Sequence, residues 1–223
     1  MSKFKGILFD FDGTLADTMA EHFLAWKAAL GDYGISIEAS DYFPLEGTGL
    51  NELARKFTQN LSLPEKALHS LVLRKKELFI DRQPVLFYPG VESLILELKK
   101  QNVPMAIVTA SHLDQLSSSV PERFLEQFDA LITGDLVVRG KPDPEPYLRG
   151  AARLGLLPEQ CIAVENAPLG VQSARRGNIY CIALCSTVNR KDLAEADEIV
   201  DQFEDLRDSA RIREFLVTRK THA

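Results

Sequence analysis

Five short stretches of this chain are apolar on consecutive residues: GILFDFD (6–12), PMAIVTAS (104–111), DALITGD (129–135), QCIAVEN (160–166) and YCIALC (180–185). A strand with one solvated face alternates polar and apolar side chains, whereas an uninterrupted apolar run must be covered on both faces. Helix-like stretches of about ten to fifteen residues separate most of these runs, and turn or cap residues bound each of them. This β-then-α rhythm joins parallel strands through helical crossovers. It predicts an α/β fold: an open, doubly wound parallel sheet with helices on both faces.

The rhythm stops between residues 16 and 84, where the pattern is helical only: DTMAEHFLAWKAALGDYG (17–34), LNELARKFTQNL (50–61) and PEKALHSLVLRKKELFIDR (64–82). Asp17 or Thr18 suits the first N-cap, while Ser62 and Pro64 open the third helix with Glu65 in its first turn. The economical arrangement is a helical module (17–83) inserted into a body made of 1–16 and 84–223. Linkers near 13–17 and 83–90 join the two, and the polar tail TRKTHA (218–223) reads as frayed.

The chain has 223 residues, 45% hydrophobic and 26% charged, enough for one sizeable core plus a smaller module. A formal net charge of −6 argues against a nucleic-acid or membrane-surface binder. It leaves an anionic small ligand open, because fields are screened over about 8 Å at cellular salt. No apolar run approaches the roughly 20 residues that span a bilayer. The start, MSKFKGILFDFD, meets charge too early for a signal peptide, so a cytoplasmic location is expected. Cys161, Cys181 and Cys185 are odd in number and sit in apolar segments, which reads as buried reduced thiols.

The first run ends in acid. Side chains alternate along a strand, so Asp10 and Asp12 share a side, with Cα atoms roughly 6.5–7 Å apart. Phe9 and Phe11 point the other way, into helix packing. Ligands of an open parallel sheet bind beyond the carboxyl ends of its strands, so both acids meet in a cleft. Their repulsion requires a cation or a shared proton there. Gly13 permits a tight turn with free backbone N–H groups, and Thr14 adds a hydroxyl. Other strand ends supply complementary groups: Thr109, Ala110 and Ser111 before a helix make an anion site, and Lys141 in RGKPDPEPY offers a point charge for a phosphate oxygen. Glu165 and Asn166 place oxygen ligands opposite the acids. Carboxylates, oxygen donors and an incoming phosphate make a hard site suited to Mg²⁺.

Taken in order, DFDGT, VTAS, GKPDP and VENAPLGV resemble the motifs of the haloacid dehalogenase-like hydrolase superfamily, and the helical insert resembles its small cap domain. The resemblance implies a phosphatase. Asp10 would attack phosphorus and become an aspartyl-phosphate. Asp12 would protonate the leaving oxygen and then activate water, for which its pKa needs to be raised. Asp10, the Asp12 carbonyl and residue 166 would hold Mg²⁺, with Glu165 beside them, and Thr109 and Lys141 would hold the phosphoryl group. The usual acid at 166 is Asn here, which removes one negative charge from the metal shell.

Within the superfamily, the first insert helix looks like that of the β-phosphoglucomutase subgroup, whose helix carries a similar His and Trp. His22 and Trp26 are i, i+4 neighbours. His22 would reach Asp12 or substrate, or be amphipathic surface; Trp26 is more often core packing between cap and body. The loop PLEGTGLNE (44–52), with Gly47 and Thr48, would line the leaving-group side, and Ser111 and His112 would meet the outer part of a sugar phosphate. Leu50 and Glu46 stand where that subgroup has Arg and Lys, and no Lys or Arg occurs from 28 to 54. Without a grip on a second phosphate, hydrolysis is favoured over phosphomutase action.

The expectation is a monomeric Mg²⁺-dependent phosphatase of a small phosphorylated metabolite, with neither nucleic acid nor membrane as partner. A phosphomutase, a phosphoacceptor signalling domain and a regulatory protein on a decayed enzyme scaffold stand as alternatives. Bland readings apply elsewhere: the RKK run (74–76) as a solvated helix face, and Asp135 as a turn residue.

Overall fold

The computed structural model describes residues 3–61, 63–80 and 85–216. Along the chain, β1 (Gly6–Phe9) is followed by α1 (Met19–Gly31), α2 (Ala39–Tyr42), α3 (Leu50–Phe57) and α4 (Glu65–Ile80). Then come α5 (Val91–Lys100), β2 (Met105–Val108), α6 (Leu113–Ser119), α7 (Glu122–Leu125), β3 (Ala130–Ile132) and α8 (Glu145–Arg153). The chain continues through β4 (Cys161–Glu165), α9 (Pro168–Arg176), β5 (Tyr180–Leu184), β6 (Glu198–Val200) and α10 (Ala210–Leu216).

The sheet is six-stranded in the order β3-β2-β1-β4-β5-β6, with parallel pairing throughout. The strand order reverses direction at β1 and β4, so the crevice between their carboxyl ends is the natural ligand position. Residues of the central strands are fully buried, as continuous apolar runs require. Ile7, Phe9 and Phe11 join one core cluster with Val91, Leu94 and Phe124, while Leu8 joins Val108, Tyr147 and Val171 on the opposite face. That alternation fixes the facing expected for the two phenylalanines. Cys161 and Cys181 are buried in the second cluster, and Cys185 is half-buried.

Helices α1–α4 have a core of their own around Trp26, Leu30, Tyr42, Leu53 and Leu71. Trp26 belongs to the core of this helical unit, 6.0 Å from Phe57 between ring centroids, and also lines the cleft that the unit forms with the body. The RKK reading fails: Lys75 is fully buried and Lys76 nearly so, its ammonium 2.5 Å from Asp114 of α6. The side-chain cap expected of Asp17 or Thr18 is also not formed. Thr18 is the N-cap residue of α1, but its hydroxyl faces Asp12 instead. Ser62, the 83–84 boundary and the TRKTHA tail lie outside the described residues.

The two crossings between body and helical unit run side by side. Ala16 bridges Phe87 in antiparallel fashion, Asp17 N–H donates to the Leu86 carbonyl at 2.8 Å, and Tyr88 N–H donates to the Leu15 carbonyl at 3.1 Å. Predicted strands shorten at their ends, because residues beyond Phe9 and Val108 leave the ladder to form the cleft. β6 was not predicted: three residues, two of them only half-buried, give no apolar run.

Candidate active site

Asp10 leaves β1 with its carboxylate nearly buried, and Lys141 donates to Asp10 Oδ1 at 2.6 Å. The same ammonium donates to Glu165 Oε1 at 2.6 Å and lies over the Tyr147 ring. Burial alone would lower the Lys141 pKa, but the Asp10 and Glu165 charges hold it well above the ordinary range. Burial and the Glu165 charge push the Asp10 carboxyl up to about 7 against the pull of Lys141. Burial and like charge disfavour the ionised form, so this pocket carries more acid than base.

Glu165 does not face the cleft. Its Oε1 accepts from Lys141 and from Tyr147 Oη at 2.9 Å, and its Oε2 accepts from the backbone N–H groups of Asn166 and Ala167 at 2.9 and 3.0 Å. Two donors on each oxygen leave it poorly placed to ligate a metal, contrary to expectation. The geometry makes it the support that aims Lys141 at Asp10. Thr14 departs likewise: it is fully buried, and its hydroxyl donates to Asn166 Oδ1 at 3.1 Å instead of facing a ligand.

Asp12 sits at a tight turn where Gly13, at φ 84°, takes the left-handed conformation. A Cβ on Gly13 would also collide with the Asn166 amide. Four side chains surround the Asp12 carboxylate. Thr18 donates to Oδ1 at 2.8 Å and Ser111 to Oδ2 at 2.7 Å, with the Thr109 hydroxyl 3.4 Å from Oδ2. His22 Nε2 is 2.9 Å from Oδ1. Burial works to raise the Asp12 carboxyl, but the His22 ring and the hydrogen bonds from His22, Ser111 and Thr18 prevail, holding it well below the usual carboxylate range. The raised pKa expected for Asp12 is therefore reversed.

His22 is itself held from behind. Its Nδ1 is 2.7 Å from Lys75 Nζ, and its ring stacks on Phe79 with centroids 4.1 Å apart. An ionised Asp12 requires N–H at Nε2, which leaves Nδ1 to accept from Lys75. Burial and the neighbouring lysine lower the His22 pKa, and burial pushes Lys75 down to about 7. The result is a line of three polar groups, Asp12, His22 and Lys75, running from body into helical unit.

The remaining expected residues divide between two adjoining clefts. Asp10, Asp12, Thr109, Ala110, Ser111 and Asn166 line one wall of the first, and His22, Gly47 and Thr48 line the other, joined there by Trp26, Glu46 and Lys75. His112, at the N-terminus of α6, is half-buried and lines the second cleft with Ala110 and Lys141. Asp135 accepts from Leu113 N–H at 3.0 Å and so holds the start of α6. Sequence reasoning missed Thr18, Lys75, Tyr147 and Thr187. Lys75 gave one signal: its four-residue spacing to Leu71 and Phe79 places it on the buried face of α4.

Glu46 carries the least expected geometry. It is 2% exposed, and its Oε2 accepts from Asn166 Nδ2 at 3.1 Å and Thr187 Oγ1 at 2.7 Å. Its Oε1 is buried without a partner among the described residues. Burial and the Asp10 and Glu165 charges push the Glu46 carboxyl up to about 8, against the two donors.

Among the described residues, no three His, Cys, Asp or Glu side chains gather closely enough to hold a metal alone. A divalent ion here needs carbonyl, amide and ligand oxygens as well, the donor set that suits Mg²⁺. No helix among the described residues is long and apolar enough to cross a membrane.

The profile of the haloacid dehalogenase-like hydrolase family matches residues 7–184. The chain is 31% identical over 202 residues to hexitol phosphatase A of Escherichia coli, covering 91% of this chain and 93% of that protein. It is 31% identical to fructose-1-phosphate phosphatase YqaB of the same organism, covering 81% of this chain and 96% of that one. A crystal structure of β-phosphoglucomutase from Clostridium difficile superposes with a TM-score of 0.82 at 23% identity, covering 96% of this chain and 99% of the other, a likeness of fold.

Proposed function

The chain belongs to the haloacid dehalogenase-like hydrolase family, and we propose that it is a Mg²⁺-dependent phosphatase of sugar or polyol monophosphates acting through an aspartyl-phosphate. The named phosphatase relatives support the class of substrate. One observation carries the chemistry: two neighbouring carboxylates are set for opposite tasks, Asp10 by the Lys141 ammonium and Asp12 by the His22 ring.

Asp10 is the nucleophile. Lys141 fixes one of its oxygens and leaves the other for in-line attack on phosphorus, which splits one difficult displacement into two. The Asp10 carboxylate, the Asp12 backbone carbonyl and the Asn166 amide oxygen, which keeps a lone pair beside its bond from Thr14, fit a hard divalent ion. Bound there, such an ion would offset charge on the phosphoryl oxygens and favour ionised Asp10. Thr109, Ser111 and Lys141 would hold the same phosphoryl group.

Asp12 and His22 act as one acid–base unit. The ionised carboxylate suits the second half-reaction, taking a proton from the water that attacks phospho-Asp10. In the first half-reaction the His22 Nε2 proton, 2.9 Å from Oδ1, passes through Asp12 to the leaving oxygen while the Lys75 ammonium gives a proton to Nδ1, so the ring stays neutral. The helical unit (17–83) acts as a cap that brings His22 to the site and excludes water.

A phosphomutase needs a free cap cation to hold a second phosphate. Lys75 does reach the cleft, but it is engaged with His22, so hydrolysis is favoured. A phosphate-release screen over sugar and polyol monophosphates, with Asp10→Asn as blank and metal removed by chelation, tests the reading. Inorganic phosphate as the sole phosphorylated product supports it, and rearranged sugar phosphate overturns it.

A further inference from the structure

We propose that Glu46 is a metal ligand contributed by the cap, so that binding of the divalent ion and closure of the cap are one linked event. The inference rests on the metal-dependent reading above.

Glu46 belongs to the loop before α3, yet it crosses the cleft and meets residues that follow β4 and β5. Burying a carboxylate is unfavourable unless each oxygen finds a donor or a cation. Oε2 has Asn166 and Thr187, whereas Oε1 is buried without a protein partner among the described residues, and Glu46 lines the same cleft as Asp10 and Asp12. A cation among the Asp10 and Asn166 oxygens would complete it.

Asn166 explains why the carboxylate can come so close. As an acceptor, Glu46 Oε2 fixes the orientation of the amide, with nitrogen toward Glu46 and oxygen toward the Thr14 hydroxyl. A carboxylate at residue 166 would face Glu46 with like charge and expel it. Residue 166 is thus neutral, and the second anionic side chain arrives from the opposite wall. A hard divalent ion gains from that charge. If Glu46 ligates only when the cap is closed, metal must favour closure by the factor by which closure tightens metal.

The test is calorimetric titration of Mn²⁺ alone into wild-type protein, Glu46→Gln, Thr187→Val and the double variant Glu46→Gln/Asn166→Asp. Fluorescence of Trp26, the single tryptophan, follows the same titrations from inside the cleft. The proposal expects Glu46→Gln to weaken Mn²⁺ about tenfold or more, and Thr187→Val to weaken it less, since that residue only aims the ligand. The double variant recovers affinity but loses the metal-induced change at Trp26, because all its ligands lie on the body. Circular dichroism verifies that each variant is folded. Wild-type binding with unchanged affinity in folded Glu46→Gln overturns this proposal and leaves the phosphatase reading intact. Failure of wild-type protein to bind Mn²⁺ overturns both this proposal and the metal dependence it rests on.

Discussion

No methyl group fits between Gly170 and Glu165. A Cβ at residue 170 would overlap the Glu165 carboxylate, which Lys141, Tyr147 and the N–H groups of Asn166 and Ala167 hold in place. Gly170→Ala must therefore displace the group that aims Lys141. The expected outcome is a loss of about 1–3 kcal/mol in denaturant unfolding, with kcat down about a hundredfold through misplacement of Lys141. An alanine variant with unchanged kcat would separate Glu165 from the chemistry.

Asp10→Asn removes the oxygen proposed to attack phosphorus while keeping size and burial. Turnover should fall by roughly 10⁴-fold or more. Intact-mass spectrometry of protein quenched during turnover should find a phosphoryl adduct in the wild type and none in the variant.

His22→Asn addresses the acid–base unit. The kcat should drop by about 10²–10⁴-fold with a smaller change in KM. The pH profile carries the sharper sign. Burial pushes the Asp12 carboxyl up and His22 opposes it, so removing the ring lets burial prevail. The acidic limb of the kcat/KM profile then moves to higher pH. A profile that only scales down would assign His22 a purely steric part.

Lys75 makes stability depend on pH in a defined window. Burial lowers its pKa from 10.5 in the unfolded chain to about 7 in the folded protein. Below 7 the group is charged in both states, and the folded protein carries the full cost of burying the charge. Between 7 and 10.5 the unfolded chain holds a proton that the folded protein has released, so this residue's contribution rises with pH. Lys75→Met lacks that slope. Its unfolding free energy relative to wild type should decline, as pH rises across the window, by on the order of a few kcal/mol. Parallel unfolding curves at pH 6 and pH 10 would place the charge in solvent.

The sheet was legible because burial on both faces leaves continuous apolar runs, a signal that β1, β2 and β5 carry along their whole length and β4 carries up to Val164. β6 lacks it, being a short edge strand with half-buried residues. That Asp10, Asp12, Thr109 and Lys141 would meet was legible because strand ends converge wherever the strands are parallel. What sequence could not deliver was the environment of each charge. Lys75 reads like its solvated neighbour Arg74 until the helix is packed against Trp26 and Phe79. Asp12 needed the ring of a residue from another element to reverse the direction of its pKa. Glu165 left its expected place, facing inward to Lys141, whereas the loop bearing Glu46 lines the cleft as expected but sends that acid across to Asn166 and Thr187.

If the helical unit swings on the body, the paired crossings at Ala16–Phe87 would serve it as a door is served by a single pin. Residues near the pin, such as Thr18 and His22, travel little when it swings, whereas the loop bearing Glu46 travels far. The proton-handling line can then stay assembled over the whole stroke, and only the outer lip registers whether the door is shut.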